Sequence, residues 1–153
     1  MIYLGADHAG FDLKEQIKKY LDKINQPYED KGNLKYEKDD DYPQYGYKVA
    51  QAVANDKKSK GILICGTSYG MCIIANKVKG VRAVSVKNAQ EAKEIRKHND
   101  ANIMCLPGWG LSFNKAKKIV DTFFIFKFEA IPRRIRRLNK IKKIENQEFS
   151  ARG

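Results

Sequence analysis

Short, fully apolar segments separated by longer amphipathic stretches constrain the fold of this chain most strongly. The run Gly61-Ile62-Leu63-Ile64 carries no polar side chain, which is typical of a parallel strand covered on both faces. Further strand-like runs lie at residues 2–6, 82–86 and 103–106, and a possible edge strand lies near Tyr28. The sequence therefore predicts an α/β fold: a Rossmann-like, doubly wound, parallel five-stranded sheet with helices on both faces.

Apolar residues at helical spacing fill the intervals between these runs. They predict helices around residues 13–24, 49–54, 71–77, 89–97 and 116–123, and a last, basic C-terminal helix around 135–141. Residues 25–41 are polar and rich in turn formers. A chain of 153 residues suits one domain, which we place at residues 1–145, with a frayed tail at 146–153.

The net charge of +12 points to anionic partners. Residues 131–153 hold eight Lys or Arg against two Glu, so they carry +6, half of the total. Many of the lysines fit a solvated helix face, whereas Arg133 and Arg137, four residues apart, share one helix face and could clamp a phosphate. The alternative for these arginines is also a solvated face. Nucleic acid is not expected as a partner, because no binding motif is present and aromatic residues do not interleave with the basic helix.

Three features of the sequence indicate where in the cell the protein is located. No apolar run approaches the ~20 residues that a membrane-spanning helix needs. The first residues reach Asp7 and His8 without the basic start and long apolar core of a signal peptide. The three cysteines are few and odd in number, which fits a reducing environment. We therefore expect a soluble, cytoplasmic protein without a membrane partner.

Cys65 stands at the tip of the strand at 61–64 and is followed by the turn Gly66-Thr67-Ser68-Tyr69-Gly70, which opens a helix. Successive N–H groups in such a turn can converge on an anion, either a phosphate or a developing enediolate oxygen. The positive field there would favour the thiolate of Cys65. The turn is not a P-loop, because no Lys-Ser or Lys-Thr follows the second glycine. The alternative is an unreactive cysteine buried at a strand end, and the residues alone leave both interpretations open.

The chain has two histidines, and each follows a predicted element. Asp7-His8 comes after the first strand, where Asp7 could cap the next helix or His8 could meet a phosphate. His98-Asn99-Asp100 ends a helix, where His98 could be a simple C-terminal charge partner or a proton shuttle. Metal binding is not predicted, because Cys-x-x-Cys and paired histidines at ligand spacing are absent and residues 39–41 are a charge run without the rest of a calcium loop.

These residues resemble the ribose-5-phosphate isomerase B and galactose-6-phosphate isomerase family over roughly residues 1–145, and they are most like ribose-5-phosphate isomerase B. Five separated groups of matching segments occur in the family's order, which is more specific than any single motif. The matching segments are Gly5-Ala6-Asp7-His8-Ala9-Gly10-Phe11 with Leu13-Lys14; Asp41-Tyr42-Pro43; Gly61-Ile62-Leu63-Ile64-Cys65-Gly66-Thr67 with Gly70-Met71 and Ala75-Asn76-Lys77; Gly80-Val81-Arg82-Ala83; and His98-Asn99-Asp100 with Asn102.

The resemblance implies a metal-independent, cofactor-free isomerisation of D-ribose 5-phosphate to D-ribulose 5-phosphate, a step of the pentose phosphate pathway, through a cis-enediolate. It implies that Cys65 is the base and that His98 opens the sugar ring. It also implies a homodimer, with a tetramer left open, whose active sites are shared between subunits. The remaining implied site residues assist the anion hole (Thr67, Gly66, Ser68, Tyr69, Gly70), hold hydroxyls (Asp7, Tyr42, Asn99) and hold the phosphate (His8, Arg133, Arg137).

The chain departs from the family pattern in three places. Ser68 stands where the family usually has glycine, and Tyr69 replaces a small aliphatic residue; a positive φ at position 68 would strain a serine. Trp109 stands where the family usually has a phosphate-binding arginine, for which Arg134 or Arg136 could substitute. The entry to the last helix, residues 130–134, needs one inserted residue in the alignment.

Two alternative functions stay open at this stage. A hexose 6-phosphate isomerase, acting on galactose or allose 6-phosphate, would keep the chemistry and need a roomier pocket. A non-catalytic protein that binds a phosphosugar or nucleic acid would also account for the positive charge, but it would not convert a sugar phosphate.

Overall fold

The structure, a computed structural model, describes residues 1–151. Five strands alternate with the first five helices, and a long helix follows. The strands are β1 (Ile2–Ala6), β2 (Tyr28–Asp30), β3 (Lys60–Cys65), β4 (Ala83–Ser85) and β5 (Ile103–Pro107). The helices are α1 (Phe11–Lys23), α2 (Tyr42–Asn55), α3 (Tyr69–Ala75), α4 (Ala89–Asn99), α5 (Phe113–Ile125) and α6 (Pro132–Ala151).

All strand pairs are parallel, and the sheet order is β2-β1-β3-β5-β4. The chain moves from β1 to one side to form β2 and then returns to the other side of β1 to form β3, so the order reverses between β1 and β3. Ligands of open α/β sheets bind in the crevice at such a switch point, beyond the carboxyl ends of the strands. The predicted Rossmann-like α/β fold is confirmed.

Two apolar cores cover the two faces of the sheet, because successive strand side chains point to opposite faces. Ile62 and Ile64 of β3 face the core that α1, α4 and α5 complete. Leu63 and Cys65 face the core that α2 and α3 complete. The alternation places the Cys65 side chain on the α2–α3 side of the sheet.

The C-terminal helix is longer than the sequence predicts. Its pattern of apolar residues ends near Ile141, and we expected a frayed tail from residue 146, but α6 continues to Ala151. Residues 146–151 thus form the last turns of α6. The domain boundary at residue 145 and the fraying of the tail stay predictions, and residues 152 and 153 lie outside the described part of the chain.

Within residues 1–151, the structure contains no helix of the length and apolarity that crossing a bilayer requires. The cytoplasmic location stays a prediction.

A buried lysine fixes the segment that connects β2 to α2. The Lys14 side chain is fully buried, and its Nζ donates to both carboxylate oxygens of Asp30, at 2.8 and 2.7 Å, and to the carbonyl of Asn33. Lys18 Nζ donates to the same carboxylate at 2.8 Å. Burial alone would raise the pKa of Asp30, but the hydrogen bonds from Lys14 and Lys18 hold it below its ordinary value. Asn33 N–H also donates to the carbonyl of Ala6, so the segment is tied to the end of β1.

Replacing Lys14 with Met should lower the free energy of unfolding by about 3–5 kcal/mol, because Asp30 would keep a buried charge without its main partner. Lys18→Met is the matched control: Lys18 is 22% exposed, and its loss should cost within about 1 kcal/mol. Urea unfolding of both variants measures the difference. Equal losses would contradict a dominant role for the buried pair.

Candidate active site

Three loops meet at the carboxyl edge of the sheet because two glycines let their backbones approach closely. A Cβ on Gly10 would lie 2.5 Å from the carbonyl oxygen of Ile64, and one on Gly108 would lie 2.2 Å from that of Ala9. Asp7 N–H also donates to the Ile64 carbonyl at 3.3 Å. The loops after β1, β3 and β5 therefore lie against one another and form the crevice at the switch point.

The loop after β3 offers free backbone donors. Within residues 1–151, no hydrogen bond forms to the N–H groups of Gly66, Thr67 or Ser68. Ser68 lies in the left-handed region, with φ of 75°. A left-handed residue in a short loop turns neighbouring N–H groups toward one side, which is the geometry of an anion-binding nest. These N–H groups are therefore unengaged, although Gly66 and Ser68 are buried, and the anion hole stays a prediction.

Ser68 itself contributes only its main chain to this loop. Its side chain is fully buried, and its hydroxyl forms a short hydrogen bond with the hydroxyl of Ser85. Ser68 therefore has the positive φ that strains a serine, and its buried hydroxyl is hydrogen-bonded to Ser85. The serine side chain is not available as a substrate ligand.

Cys65 is buried in the single chain. Its exposed fraction is 4%, and it belongs to the α2–α3 core with Tyr45, Met71 and Cys105. The thiol is adjacent to the free amides of Gly66 and Thr67 in sequence, yet it does not line the cavity described below. A sugar carbon can therefore reach the sulfur only if neighbouring side chains move.

Tyr42 and Asp7 border the same crevice. The ring of Tyr42 packs on Gly70, where an added Cβ would lie 2.5 Å from a ring carbon. Asp7 Oδ1 accepts from the N–H groups of Ala9 and Gly10 at 3.0 and 3.2 Å. Burial raises the pKa of this carboxyl, partly offset by those hydrogen bonds. Asp7 thus closes the turn that precedes α1, whereas the N-cap of the helix is Gly10, which forms no side-chain cap hydrogen bond. The expected helix cap at Asp7 is therefore not formed, and the role of Asp7 toward a sugar hydroxyl stays a prediction.

His8 pairs with an acidic residue that sequence reasoning missed. Asp40 Oδ1 accepts from His8 N at 2.9 Å and lies 2.8 Å from His8 Nδ1. This hydrogen bond is the main cause of a raised pKa at His8. Residues 39–41 looked like a charge run, and no local pattern marks a contact that spans 32 positions.

Asp7, His8 and Asp40 also form the one cluster of potential metal ligands found in residues 1–151, with donor atoms within 4.8 Å of one another. The Oδ1 atoms of Asp7 and Asp40 are already engaged by groups of the chain. The arrangement therefore fits a histidine–carboxylate pair and a closed turn before α1 better than a metal centre.

A cavity of about 400 Å³ lies beside the amide loop, on the β4–β5 side. Trp109 forms one wall and packs on Gly66, where an added Cβ would lie 2.8 Å from the indole ring. Lys87 and Lys115 make the cavity cationic, and Lys87 Nζ donates to the Tyr69 hydroxyl at 3.2 Å. Lys87 and Lys115 are therefore the cations that line this cavity beside the indole ring.

The other predicted site residues lie at the opposite edge of the sheet. His98 and Asn99 end α4, just before β5 begins, and both are exposed. The register pairs the start of β5 with Gly61 and its end with Cys65, so the two edges are four residues, or roughly 13 Å, apart along the strand. One chain therefore brings together nine of the thirteen predicted site residues, and His98, Asn99 and two arginines of α6 lie apart from them.

The arginines of α6 lie on the side of His98. Arg134 is tied down by a short ion pair with Glu129 and by the Lys97 carbonyl at 3.4 Å, so it is not free to replace the missing arginine. Arg133 and Arg137 are exposed, and the described part of the chain gives them no ion pair.

The family model described as Ribose/Galactose Isomerase matches residues 2–141. The chain therefore belongs to the ribose/galactose isomerase family, and the resemblance seen in the sequence is confirmed.

Within that family, the chain is similar to ribose-5-phosphate isomerase B proteins. It is 37% identical to the probable ribose-5-phosphate isomerase B of Mycoplasma pneumoniae, over 96% of each chain. It is 40% identical to ribose-5-phosphate isomerase B of Escherichia coli, over 84% of this chain and 85% of that one. The crystal structure of the Mycoplasma genitalium protein with bound ribulose-5-phosphate has a TM-score of 0.91 at 38% identity and covers 95% of each chain.

Ser85→Ala should destabilise the fold by about 1–3 kcal/mol, because the buried Ser68 hydroxyl loses its partner. The double variant Ser68→Gly/Ser85→Ala should recover most of that loss, since glycine removes both the unpaired hydroxyl and the left-handed strain. Chemical unfolding of the two variants measures this coupling. A double variant no more stable than Ser85→Ala would show that neither the hydroxyl nor the strain matters.

Proposed function

We propose that the protein interconverts D-ribose 5-phosphate and D-ribulose 5-phosphate, with Cys65 as the base and His98 as the ring-opening acid and base. The observation that carries the proposal is the set of free N–H groups at Gly66–Ser68, beside the cysteine at the switch point. The similarity to ribose-5-phosphate isomerase B proteins across nearly the whole chain supports the choice of reaction.

The proposed chemistry is a proton transfer between adjacent carbons of the open-chain sugar. The Cys65 thiolate removes the proton from C2, and the C–H electron pair forms the C1–C2 double bond while the C1 carbonyl oxygen takes the negative charge. Fixed N–H groups stabilise this cis-enediolate, and Thr67, an exposed residue of the same loop, assists. The thiol then returns the proton to C1, while the O2 proton passes to O1.

A pentose substrate fits the site better than a hexose. Tyr69 and Trp109 place two large rings around the entrance to the amide loop, and Trp109 covers one side of Gly66. A sixth carbon would need room that these rings occupy. We therefore expect kcat/KM to be higher for ribose 5-phosphate than for galactose 6-phosphate or allose 6-phosphate, and steady-state assays with each sugar measure the difference.

We further propose that a homodimer completes each site. Cys65 and the amide loop lie at one edge of the sheet, whereas His98, Asn99, Arg133 and Arg137 lie at the other. Two copies that place opposite edges together would unite the base with the ring-opening histidine and the free arginines. Such an isologous arrangement forms two equivalent sites.

Cys65→Ala should lower kcat for ribose 5-phosphate by about 10²–10⁴-fold, because the base is lost. Cys72→Ala is the matched control: Cys72 is a half-buried thiol on α3, where its sulfur donates to the Ala83 carbonyl, and its loss should leave the rate unchanged. Assays with and without a chelator, on variants with unchanged circular dichroism, measure both. An unaltered rate in Cys65→Ala would remove Cys65 from its role.

Mixing inactive Cys65→Ala and His98→Asn chains should restore activity if the sites are shared. Random re-pairing makes half of the dimers mixed, and each mixed dimer has one intact site, so about a quarter of the wild-type rate should return. Mixing each variant with itself is the control. No recovery, despite demonstrated exchange of subunits, would contradict shared sites. Binding of ribose 5-phosphate without turnover in the wild type would instead indicate a non-catalytic phosphosugar binder.

A further inference from the structure

The side chain of His8 presents only one of its nitrogens to a ligand. Nδ1 is held by Asp40, so Nε2 lies on the opposite side of the ring. The side chain is 35% exposed, and within residues 1–151 no hydrogen bond engages Nε2. His8 also stands at the switch-point crevice, directly after β1 and Asp7.

Asp40 is unusually well fixed for a residue of a turn-rich segment. Its side chain is 1% exposed, and its two oxygens meet His8 N–H, His8 Nδ1 and, at 3.3 Å, the side-chain amide of Asn33. Asn33 is anchored in turn by the Ala6 carbonyl and by the buried Lys14 ammonium group. Asp40 therefore connects the histidine to the core of the fold.

We propose that Asp40 is a positioning residue that locks His8 with Nδ1 inward and Nε2 toward the substrate phosphate, and so makes the imidazolium the phosphate-binding form. This inference rests on the proposed function, because it assigns the phosphate of that substrate to His8. It adds to the site a residue that does not touch the substrate.

The hydrogen bond from Nδ1 determines which protonation state of His8 can bind a phosphate. With Nδ1–H donated to Asp40, Nε2 carries a proton only when the ring is charged, so a phosphate oxygen accepts a hydrogen bond only from the imidazolium. The acidic groups that face His8 are Asp40, Asp7 and Asp39, and the hydrogen bond to Asp40 contributes most to the raised pKa of His8. A raised pKa extends the charged form to higher pH, so phosphate binding should weaken only as the pH rises through that raised value.

The variant Asp40→Asn tests the proposal, because asparagine keeps the size and an acceptor oxygen but removes the charge. The pH at which His8 titrates, followed by NMR, should fall relative to the wild type. KM for ribose 5-phosphate should rise by about ten-fold near pH 8, with kcat within about two-fold, because one hydrogen bond to a charged group is lost. Asp40→Glu should restore part of the effect.

Asp39→Asn is the matched control. It removes the same charge from an exposed neighbour but leaves the hydrogen bond to His8 intact, so KM and the His8 titration should change little. A His8 titration and a KM that are unchanged in Asp40→Asn, or a lowered kcat at constant KM, would overturn the proposal.

The role of Asp40 can be tested even if the protein is not an isomerase of ribose 5-phosphate. If wild-type protein does not turn over ribose 5-phosphate, the NMR titration with inorganic phosphate still decides the role of Asp40. A lowered His8 titration with weaker phosphate binding in Asp40→Asn supports the positioning role, and unchanged values overturn it.

Discussion

The close approach of three backbones at the carboxyl edge of the sheet is the constraint on which the site depends. Gly10 lies on the carbonyl of Ile64 and Gly108 on that of Ala9, at distances that leave no room for a Cβ. Any larger residue at these positions would separate the loops after β1, β3 and β5. The crevice, the free amides and the placement of His8 all follow from this contact.

A second set of interactions brings a distant segment to that edge. The buried Lys14–Asp30 pair and the bond from Asn33 to Ala6 hold the chain between β2 and α2 in place. In this position, Asp40 of the segment contacts His8, and Tyr42, which follows it, packs on Gly70. The phosphate-binding end of the proposed site is thus supported by a charged network inside the fold, while the thiol of Cys65 is supported by apolar packing.

The sequence predicted the strands, their parallel arrangement and the helices well, because apolar periodicity reports burial directly. It also indicated the strained position at Ser68, since glycine is the residue expected there. It did not predict Asp40, the hydrogen bond from Ser68 to Ser85 or the packing of Trp109 on Gly66, because such contacts join residues far apart in the chain and leave no local pattern. The continuation of α6 past residue 146 was missed because its last turns are polar.

The central claim is that a cysteine at one sheet edge and a histidine from the opposite edge of a second copy act on one sugar. The most direct measurement is a crystal structure with a phosphate-bearing hydroxamate that mimics the enediolate. We predict the hydroxamate oxygen on the N–H groups of Gly66–Ser68, Cys65 Sγ within about 3.5 Å of its carbon, and the neighbouring chain's histidine at the same ligand. An analogue bound by one chain alone, or away from Cys65, would contradict the account.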